Sequence, residues 1–149
     1  MDAYDTSLTR STPTGFSNVS YYLAATSVGN YALFGGGSGA SNSYLNIVTA
    51  YNGSSLSKSN PTALSVARSR LAAASTGDYA LFGGGLLHAS GSTSDKVDAY
   101  DTSLSKSTPT ALSQVRYDLV ATNIDNYAIF GGGSYNNSAL PTVDAYVST

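Results

Sequence analysis

Several residue types are scarce or absent in this chain of 149 residues. It has no cysteine, no tryptophan and no glutamate, and charged residues make up only 11%, against about 25% in an ordinary soluble domain. Without cysteine, disulfides and thiolate metal sites are excluded. The only histidine is His88, and the nine aspartates do not follow the spacing of a calcium-binding loop. The sequence therefore indicates no metal centre and no cofactor.

The few charged residues are also mixed in sign. Seven Lys and Arg against nine Asp give a net charge of -2, with no basic cluster, so binding to nucleic acid or to an anionic membrane is not expected. No apolar run approaches the roughly 18 residues of a membrane helix. The opening MDAYDTSLTR lacks the apolar centre of a signal peptide. We expect a soluble chain. The sequence does not determine its cellular compartment, and a longer parent protein could be extracellular.

Three near-copies of one segment dominate the sequence. NYALFGGG at 30–37 returns as DYALFGGG at 78–85 and as NYAIFGGG at 126–133, 48 residues further each time. A period of this length is typical of solenoids and propellers. The repeats cover approximately 1–47, 48–96 and 97–142, followed by an extra strand at 143–149. Their near-identity indicates recent duplication or design, and the chain begins inside a repeat, as a piece of a longer array would.

Each repeat predicts four short strands, A to D, joined by turns rich in Gly, Asn and Asp. The predicted strands are A at 23–27, 71–75 and 119–123, B at 31–35, 79–83 and 127–131, C at 47–51 and 97–100, and D at 57–60 and 105–108. Strands A and B are almost continuously apolar or small, which is typical of strands covered on both faces. Strand D is rich in hydroxyl groups and fits an outer edge. ALSVARSRLAAAS has helix-forming composition, but its counterparts carry Gly, Asn and Thr, so we expect no helix there.

Glycines, a tyrosine and an arginine recur at fixed places in the repeats. They are the doublets Gly35–Gly36, Gly83–Gly84 and Gly131–Gly132, the tyrosines Tyr4, Tyr51, Tyr100 and Tyr146, and the arginines Arg68 and Arg116. With these residues the whole chain resembles the kelch repeat family. It departs from that family in having serines (Ser11, Ser59 and Ser107) near the place of the outer-strand Trp, and Ser20 instead of the first arginine. The resemblance implies an all-β fold, a β-propeller of four-stranded antiparallel blades with three kelch-like repeats per chain.

The glycine triplets superficially suggest a phosphate-binding loop. GGGSG lacks the Lys and Ser/Thr of a P-loop, and no helix is predicted to follow. We therefore expect the glycines to be structural, allowing close packing where neighbouring blades converge.

Two groups of residues are candidates for ligand binding. Arg68 and Arg116 precede strand A, and either face a ligand or bond to backbone carbonyls of an adjacent blade, which the sequence favours. The B–C loops SGASNSY, LLHASGSTSDK and SYNNSALPT differ while the strands hardly change, and loops on a rigid scaffold are common binding sites. Tyr44, His88 and Tyr135 are their side chains best suited to stack on a sugar or peptide. The alternative is that these loops are simply unconstrained. A catalytic triad would have to use His88, which lies in a loop of one repeat only, so we expect no enzyme.

The ends of the chain bear on assembly. It begins with strands C and D and ends with A, B and a further C, so strand C occurs four times. Three blades cannot close a ring, since known propellers have about four to eight. Two copies would give six blades with no open edge. We expect a homodimer in which Asp2–Tyr4 or Val143–Tyr146 fills the shared C position and the other is frayed. The predicted function is a non-catalytic structural or interaction scaffold, with glycan or peptide binding as the alternative.

Overall fold

The computed structural model describes residues 1–88 and 91–149 and is built from short antiparallel strands. In chain order these are β1 (Ala3–Tyr4), β2 (Arg10–Ser11), β3 (Ala24–Val28), β4 (Tyr31–Gly35), β5 (Val48–Asn52), β6 (Lys58–Ser59), β7 (Ala72–Ser75), β8 (Tyr79–Gly83), β9 (Val97–Asp101), β10 (Lys106–Ser107), β11 (Val120–Ile124), β12 (Tyr127–Gly131), β13 (Ser134–Tyr135), β14 (Ser138–Ala139) and β15 (Val143–Val147). Within the described residues, a 3-10 turn at Ala40–Asn42 is the only helical element. No helix in that part of the chain has the length and hydrophobicity needed to cross a membrane.

The strands form three larger sheets and two small hairpins. The first sheet is β3-β4-β5-β6, the second is β7-β8-β9-β10, and the third is β11-β12-β15, each an antiparallel meander. The hairpins are β1-β2 and β13-β14. None of these sheets closes on itself. The expected all-β class with four-stranded antiparallel sheets is therefore confirmed.

Most predicted strands are present with small shifts. The B strands β4, β8 and β12 match residue for residue, and each A strand begins one residue later than predicted. The D strands are shorter than predicted, with two residues each. ALSVARSRLAAAS contains β7 and no helix, as expected. The hairpin β13-β14 was not predicted; Asn136 and Asn137, both at positive φ (48° and 60°), make its turn.

The three sheets stand in a row, with their first strands β3, β7 and β11 packed side by side. One hydrophobic cluster fills the junction of the first and second sheets, and it includes Leu33, Phe82 and Tyr100. A second cluster with Leu81 and Phe130 fills the junction of the second and third sheets. In both, a phenylalanine meets a tyrosine edge to face: the ring centroids of Phe82 and Tyr100 are 6.0 Å apart. Each sheet is therefore buried by its neighbour in the row.

Glycine is required where a sheet meets the next one. A Cβ at Gly35 would lie 2.9 Å from the ring of Phe82 in the second sheet, and a Cβ at Gly83 would lie 3.0 Å from the ring of Phe130. At the following residue, Gly36 has φ +71° and a Cβ there would lie 2.7 Å from the carbonyl oxygen of Arg68. The glycines thus permit a close approach of neighbouring sheets.

Candidate functional site

One end of the row of sheets carries the loops that differ between repeats. There the segment that leads into each first strand pairs with the loop between second and third strands. These bridges are Tyr21 with Ser38, Ser69 with Leu86, and Tyr117 with Ser134, and two further bridges, Ser38 with Tyr44 and Leu86 with Thr93, lie within the loops themselves. We call this end the loop face. It brings the variable B–C loops and the segments before strand A onto one surface, as the meander topology predicts.

Three residues at equivalent positions form a ladder across the loop face. Tyr22, Arg70 and Asp118 each precede the leucine that leads into a first strand, and all three have positive φ (56°, 54° and 53°). The Arg70 amide donates to the Tyr22 carbonyl at 2.9 Å, and the Asp118 amide donates to the Arg70 carbonyl at 3.0 Å. We call these residues the inner ladder. It links the three sheets through backbone hydrogen bonds at the loop face.

The side chains of the inner ladder also interact. Arg70 Nη1 lies 3.0 Å from Asp118 Oδ2, and its Cζ lies 4.5 Å from the centre of the Tyr22 ring. The ion pair is partly exposed, so it contributes at most about 1 kcal/mol to stability. The arrangement instead presents a cation, an anion and an aromatic face side by side to solvent.

Two of the predicted loop residues join this surface. The rings of Tyr44 and His88 have their centroids 5.9 Å apart, and Tyr44 is close enough to Arg70 to interact with its charge. Tyr135 lies in β13, where it pairs with Ser138 in the small hairpin. A depression of about 320 Å³ lies beside that hairpin, lined by Arg70, Leu86, Gly91, Tyr117, Asn136 and Asn137. Guanidinium, amide and phenol groups there can hydrogen-bond to a polar ligand.

The inner ladder was not predicted from the sequence, although a signal exists. Its position changes from Tyr to Arg to Asp between repeats, while the following leucine (Leu23, Leu71, Leu119) does not change. Variation beside an unvaried core position is typical of a surface residue. Among the described residues, no group of three His, Asp or other ligating side chains is arranged to hold a metal ion.

The two arginines proposed as ligand candidates lie inside the molecule. Arg68 is fully buried, and its Nη2 donates to the Phe82 carbonyl at 3.0 Å and to Asp98 Oδ2 at 2.9 Å. Burial lowers the pKa of Arg68, and the Asp98 carboxylate opposes that shift. Arg116 is also fully buried. Of the two alternatives, the one in which these guanidinium groups face a surface ligand is therefore wrong. Each group bonds to a backbone carbonyl, as the favoured alternative has it, but that carbonyl lies in its own sheet and not in an adjacent one.

The second arginine repeats the arrangement of the first. Arg116 Nη2 donates to the Phe130 carbonyl at 3.2 Å and to Asp144 Oδ2 at 2.8 Å. Among the described residues, Nε and Nη1 of both arginines have no hydrogen-bond partner. The first sheet has Ser20 and Thr49 at the corresponding positions, beside a small cavity that Phe16 also lines. The first sheet therefore has no buried ion pair on the side that faces away from the second sheet.

The repeated tyrosines are structural as well. The hydroxyls of Tyr51, Tyr100 and Tyr146 each donate to a threonine carbonyl in the segment that leads into their own sheet, at 2.7, 2.7 and 2.8 Å. Burial raises the pKa of Tyr100 well above its ordinary value and raises the pKa of Tyr146 to about 12. Tyr4, the fourth of the series, is 63% exposed. It lies in the two-stranded sheet β1-β2.

Comparisons with known proteins bear on the fold alone. No protein-family model matches the chain, and no curated protein matches its sequence. Among solved structures, that of YjhT is similar, with 14% sequence identity and a TM-score of 0.81. The match covers 99% of this chain and 51% of the YjhT chain. This chain therefore has the fold of about half of that structure.

Proposed function

We propose that the chain is half of a β-propeller of kelch-like repeats, that two copies close a ring of six blades, and that the ring serves as a non-catalytic interaction scaffold. The observation that carries the proposal is the complementarity of the chain's two ends. At the start, β1 and β2 are the third and fourth strands of a sheet without its first two. At the end, the third sheet has its first three strands and lacks the fourth. The third and fourth strands at the start of one copy can therefore complete the third sheet at the end of another.

The open side of the third sheet supports pairing with another sheet of the same kind. Val48 and Val97 occupy one position in the first and second sheets and are 1% and 2% exposed, whereas Val143 at that position in the third sheet is 63% exposed. A Cβ at Gly131 would find nothing nearer than Val143 at 3.8 Å, whereas its counterparts face the rings of Phe82 and Phe130. By the pattern of the repeats, the ring that belongs against Gly131 is Phe34 of a second copy.

Backbone hydrogen bonds follow the same pattern. The amide of Gly37 donates to the carbonyl of Arg68 at 2.9 Å, and the amide of Gly85 donates to the carbonyl of Arg116 at 2.9 Å. At the equivalent position of the third sheet, the amide of Gly133 would donate to the carbonyl of Ser20 of a second copy. The two junctions inside the chain thus specify the geometry of the junction between two chains.

Pairing of two copies also removes exposed apolar surface from water. A row of three sheets leaves Val120, Ile124 and Val143 in water, and burying apolar surface is worth about 25 cal/mol per Å². Exposed apolar faces and unpaired sheet edges favour association with another chain. A two-fold pair covers both open ends at once, because each copy offers one first-sheet side and one third-sheet side. Twice this chain has about the length of YjhT, whose fold it shares.

The variant Val120→Asp tests this proposal. Val120 is exposed in the single chain, so the change should leave the unfolding free energy of the single chain almost unaltered while placing a charge in the junction between copies. We expect the wild type to sediment as a dimer and Val120→Asp to sediment as a monomer. Ser41→Asp, on an exposed turn of the loop face, is the control and should remain dimeric. A dimer that survives Val120→Asp would contradict the proposal.

Ligand binding at the loop face is the second candidate function. It is favoured by the cluster of Tyr44, His88 and Arg70, where two rings and a cation share one exposed surface. Such a surface suits a glycan or a polar peptide. Screening glycan and peptide arrays should give saturable binding that Tyr44→Ala abolishes. Ser54→Ala, in a turn at the other end of the first sheet, should bind as the wild type does. Equal binding by both variants would exclude the loop face.

A further inference from the structure

A groove between the second and third sheets lacks the side chain that fills its counterpart. It measures about 280 Å³ and is lined by Thr76, Tyr79, Leu81, Ala99, Ser107, Pro109, Tyr146 and Val147. The corresponding residues at the first junction include Tyr31, Leu33 and Ala50, and there Leu104 packs against the same hydrophobic cluster. Leu104 lies in the turn between β9 and β10. The third sheet has no such turn, because the chain ends soon after β15.

A second vacancy lies next to the groove. At the first junction, a Cβ at Gly29 would lie 3.2 Å from Cγ2 and 3.3 Å from Cβ of Thr102, a residue of the same turn as Leu104. The counterpart of Gly29 in the second sheet is Gly77, and a Cβ built there has nothing within 4 Å. The turn between β9 and β10 therefore covers two positions of the first sheet. The two equivalent positions of the second sheet have no turn over them.

The missing turn is present at the other end of the chain. Residues 5–8 read Asp-Thr-Ser-Leu, as do residues 101–104. Asp5 Oδ1 accepts from the amides of Ser7 and Thr9 at 2.9 and 2.8 Å, and Asp101 Oδ1 accepts from the amides of Ser103 and Ser105 at 2.8 and 2.9 Å. The two leucines have φ 60° and 63°. The N-terminal turn is thus already folded in the shape that fills the first junction.

This turn is exposed where it stands in the single chain. Leu8 is 80% exposed. The segment after β2 lies against the first sheet, where the carbonyl of Thr14 accepts from the Tyr51 hydroxyl and Phe16 packs 5.2 Å from Phe34. The groove is at the second junction, one sheet further along the row. The chain's own turn is therefore directed away from the groove.

We propose that the N-terminal hairpin of a second copy binds this groove, with its Leu8 among Tyr79, Leu81 and Ala99 and its Thr6 against Gly77. The inference rests on the pairing of two copies proposed above and specifies how the shared blade is completed. The hairpin enters as a unit, because Asp5 holds the turn and β1 is already paired with β2 in the register of β9 with β10.

Entry of the hairpin exchanges one strand for another of nearly the same sequence. Asp2-Ala3-Tyr4 repeats Asp144-Ala145-Tyr146, so β1 of the second copy takes the place of β15 beside β12. Asp2 lies 3.5 Å from Arg10, just as Asp98 lies 3.6 Å from Lys106. Asp98 also pairs with a buried arginine, and Asp2 of the second copy gains the equivalent pair with Arg116 of the first copy. The C-terminal residues from β15 onward, including Ser148, which now bonds the Thr76 carbonyl at 3.1 Å, are released.

Engineered cysteines test the exchange, since the chain has none of its own. The single variants Thr6→Cys and Gly77→Cys are unfolded together, refolded as a mixture and oxidised, so that a disulfide between the two sites joins two different chains. The control carries Gly29→Cys and Thr102→Cys in one chain, where the Cβ separation of 3.3 Å is near the roughly 3.5–4.5 Å of natural disulfides. Non-reducing electrophoresis and native mass measurement are the readouts.

The expected result is a cross-linked pair of chains from the mixture, and loss of that band when Leu8→Asp is added. Because Leu8 is exposed in the single chain, Leu8→Ala should leave single-chain unfolding unchanged while raising the dimer dissociation constant on the order of a hundredfold. A dimer by mass that gives no cross-link, while the control disulfide forms, would overturn the exchange and leave the pairing intact. Single chains alone at every concentration would overturn the pairing, and the exchange with it.

Discussion

The second and third sheets are built from almost the same sequence, yet one is buried and the other is open. Ala72 in β7 is 6% exposed, and Val120 at the same position of β11 is 73% exposed. The ion pair of the second sheet, Arg68 with Asp98, is fully buried, while in the third sheet Asp144 is 17% exposed. The difference arises from the neighbour and not from the strands themselves. The open sheet is therefore the surface that the proposed second copy would cover.

The first sheet differs from both in having no buried ion pair. Arg68 and Arg116 lie at junctions inside the chain, whereas the first sheet has Ser20 and Thr49 on the side that faces away from the second sheet. Removing one partner of a buried pair leaves an uncompensated charge. With neutral residues at both positions, the first sheet has no such charge to compensate.

Removing the carboxylate of the buried pair should have the largest effect. Asp98→Ala leaves Arg68 with an uncompensated buried charge, and we expect a loss of about 3–5 kcal/mol in unfolding free energy. Asp144→Ala, the matched variant in the open sheet, should cost clearly less in the proposed pair of copies, because Asp2 of the second copy takes the place of Asp144 beside Arg116. Urea unfolding of both variants measures the difference. Equal losses would mean that Asp144 keeps its place beside Arg116.

Adding a methyl group at the glycine of each sheet should sharpen the comparison. Gly83→Ala places a Cβ 3.0 Å from the Phe130 ring, and we expect a loss of about 1–3 kcal/mol from overpacking. Gly131→Ala has open space in the single chain and should leave its unfolding unchanged, while weakening the dimer through contact with Phe34 of the second copy. Unfolding and sedimentation of both variants give the two readouts. An unaltered dimer in Gly131→Ala would exclude this face as the junction.

Alkaline pH should produce the smallest effect. Burial raises the pKa of Tyr100 well above its ordinary value, while an unfolded tyrosine titrates near about 10. Above pH 10 the unfolded chain loses a proton that the folded chain keeps, so stability is fully present below pH 10 and falls as pH rises above that value. Tyr100→Phe should reduce the slope of stability against pH above pH 10, whereas Tyr127→Phe, on an exposed tyrosine, should not. An unchanged slope in Tyr100→Phe would show that its hydroxyl is not shielded.

Much of the fold could be predicted because each strand occurs in several repeats, whose sequences can be compared with one another. Strands β4, β8 and β12 could be predicted from apolar runs bounded by turn residues, and their predicted bounds are correct to the residue. The hairpin β13-β14 occurs in one repeat only, so comparison of the repeats could not reveal it. Arg68 could not be assigned from sequence, because an arginine before a strand is compatible with the surface and with the interior. Its burial depends on Asp98, thirty positions further along the chain.

The mass of the chain in solution tests the central claim most directly. Native mass spectrometry over a range of concentrations should find one assembled species at twice the 15.3 kDa of a single chain, with no larger species accumulating, because a closed ring of two copies leaves no open side. A single species at 15.3 kDa at every concentration, or a ladder of ever larger species, would contradict it.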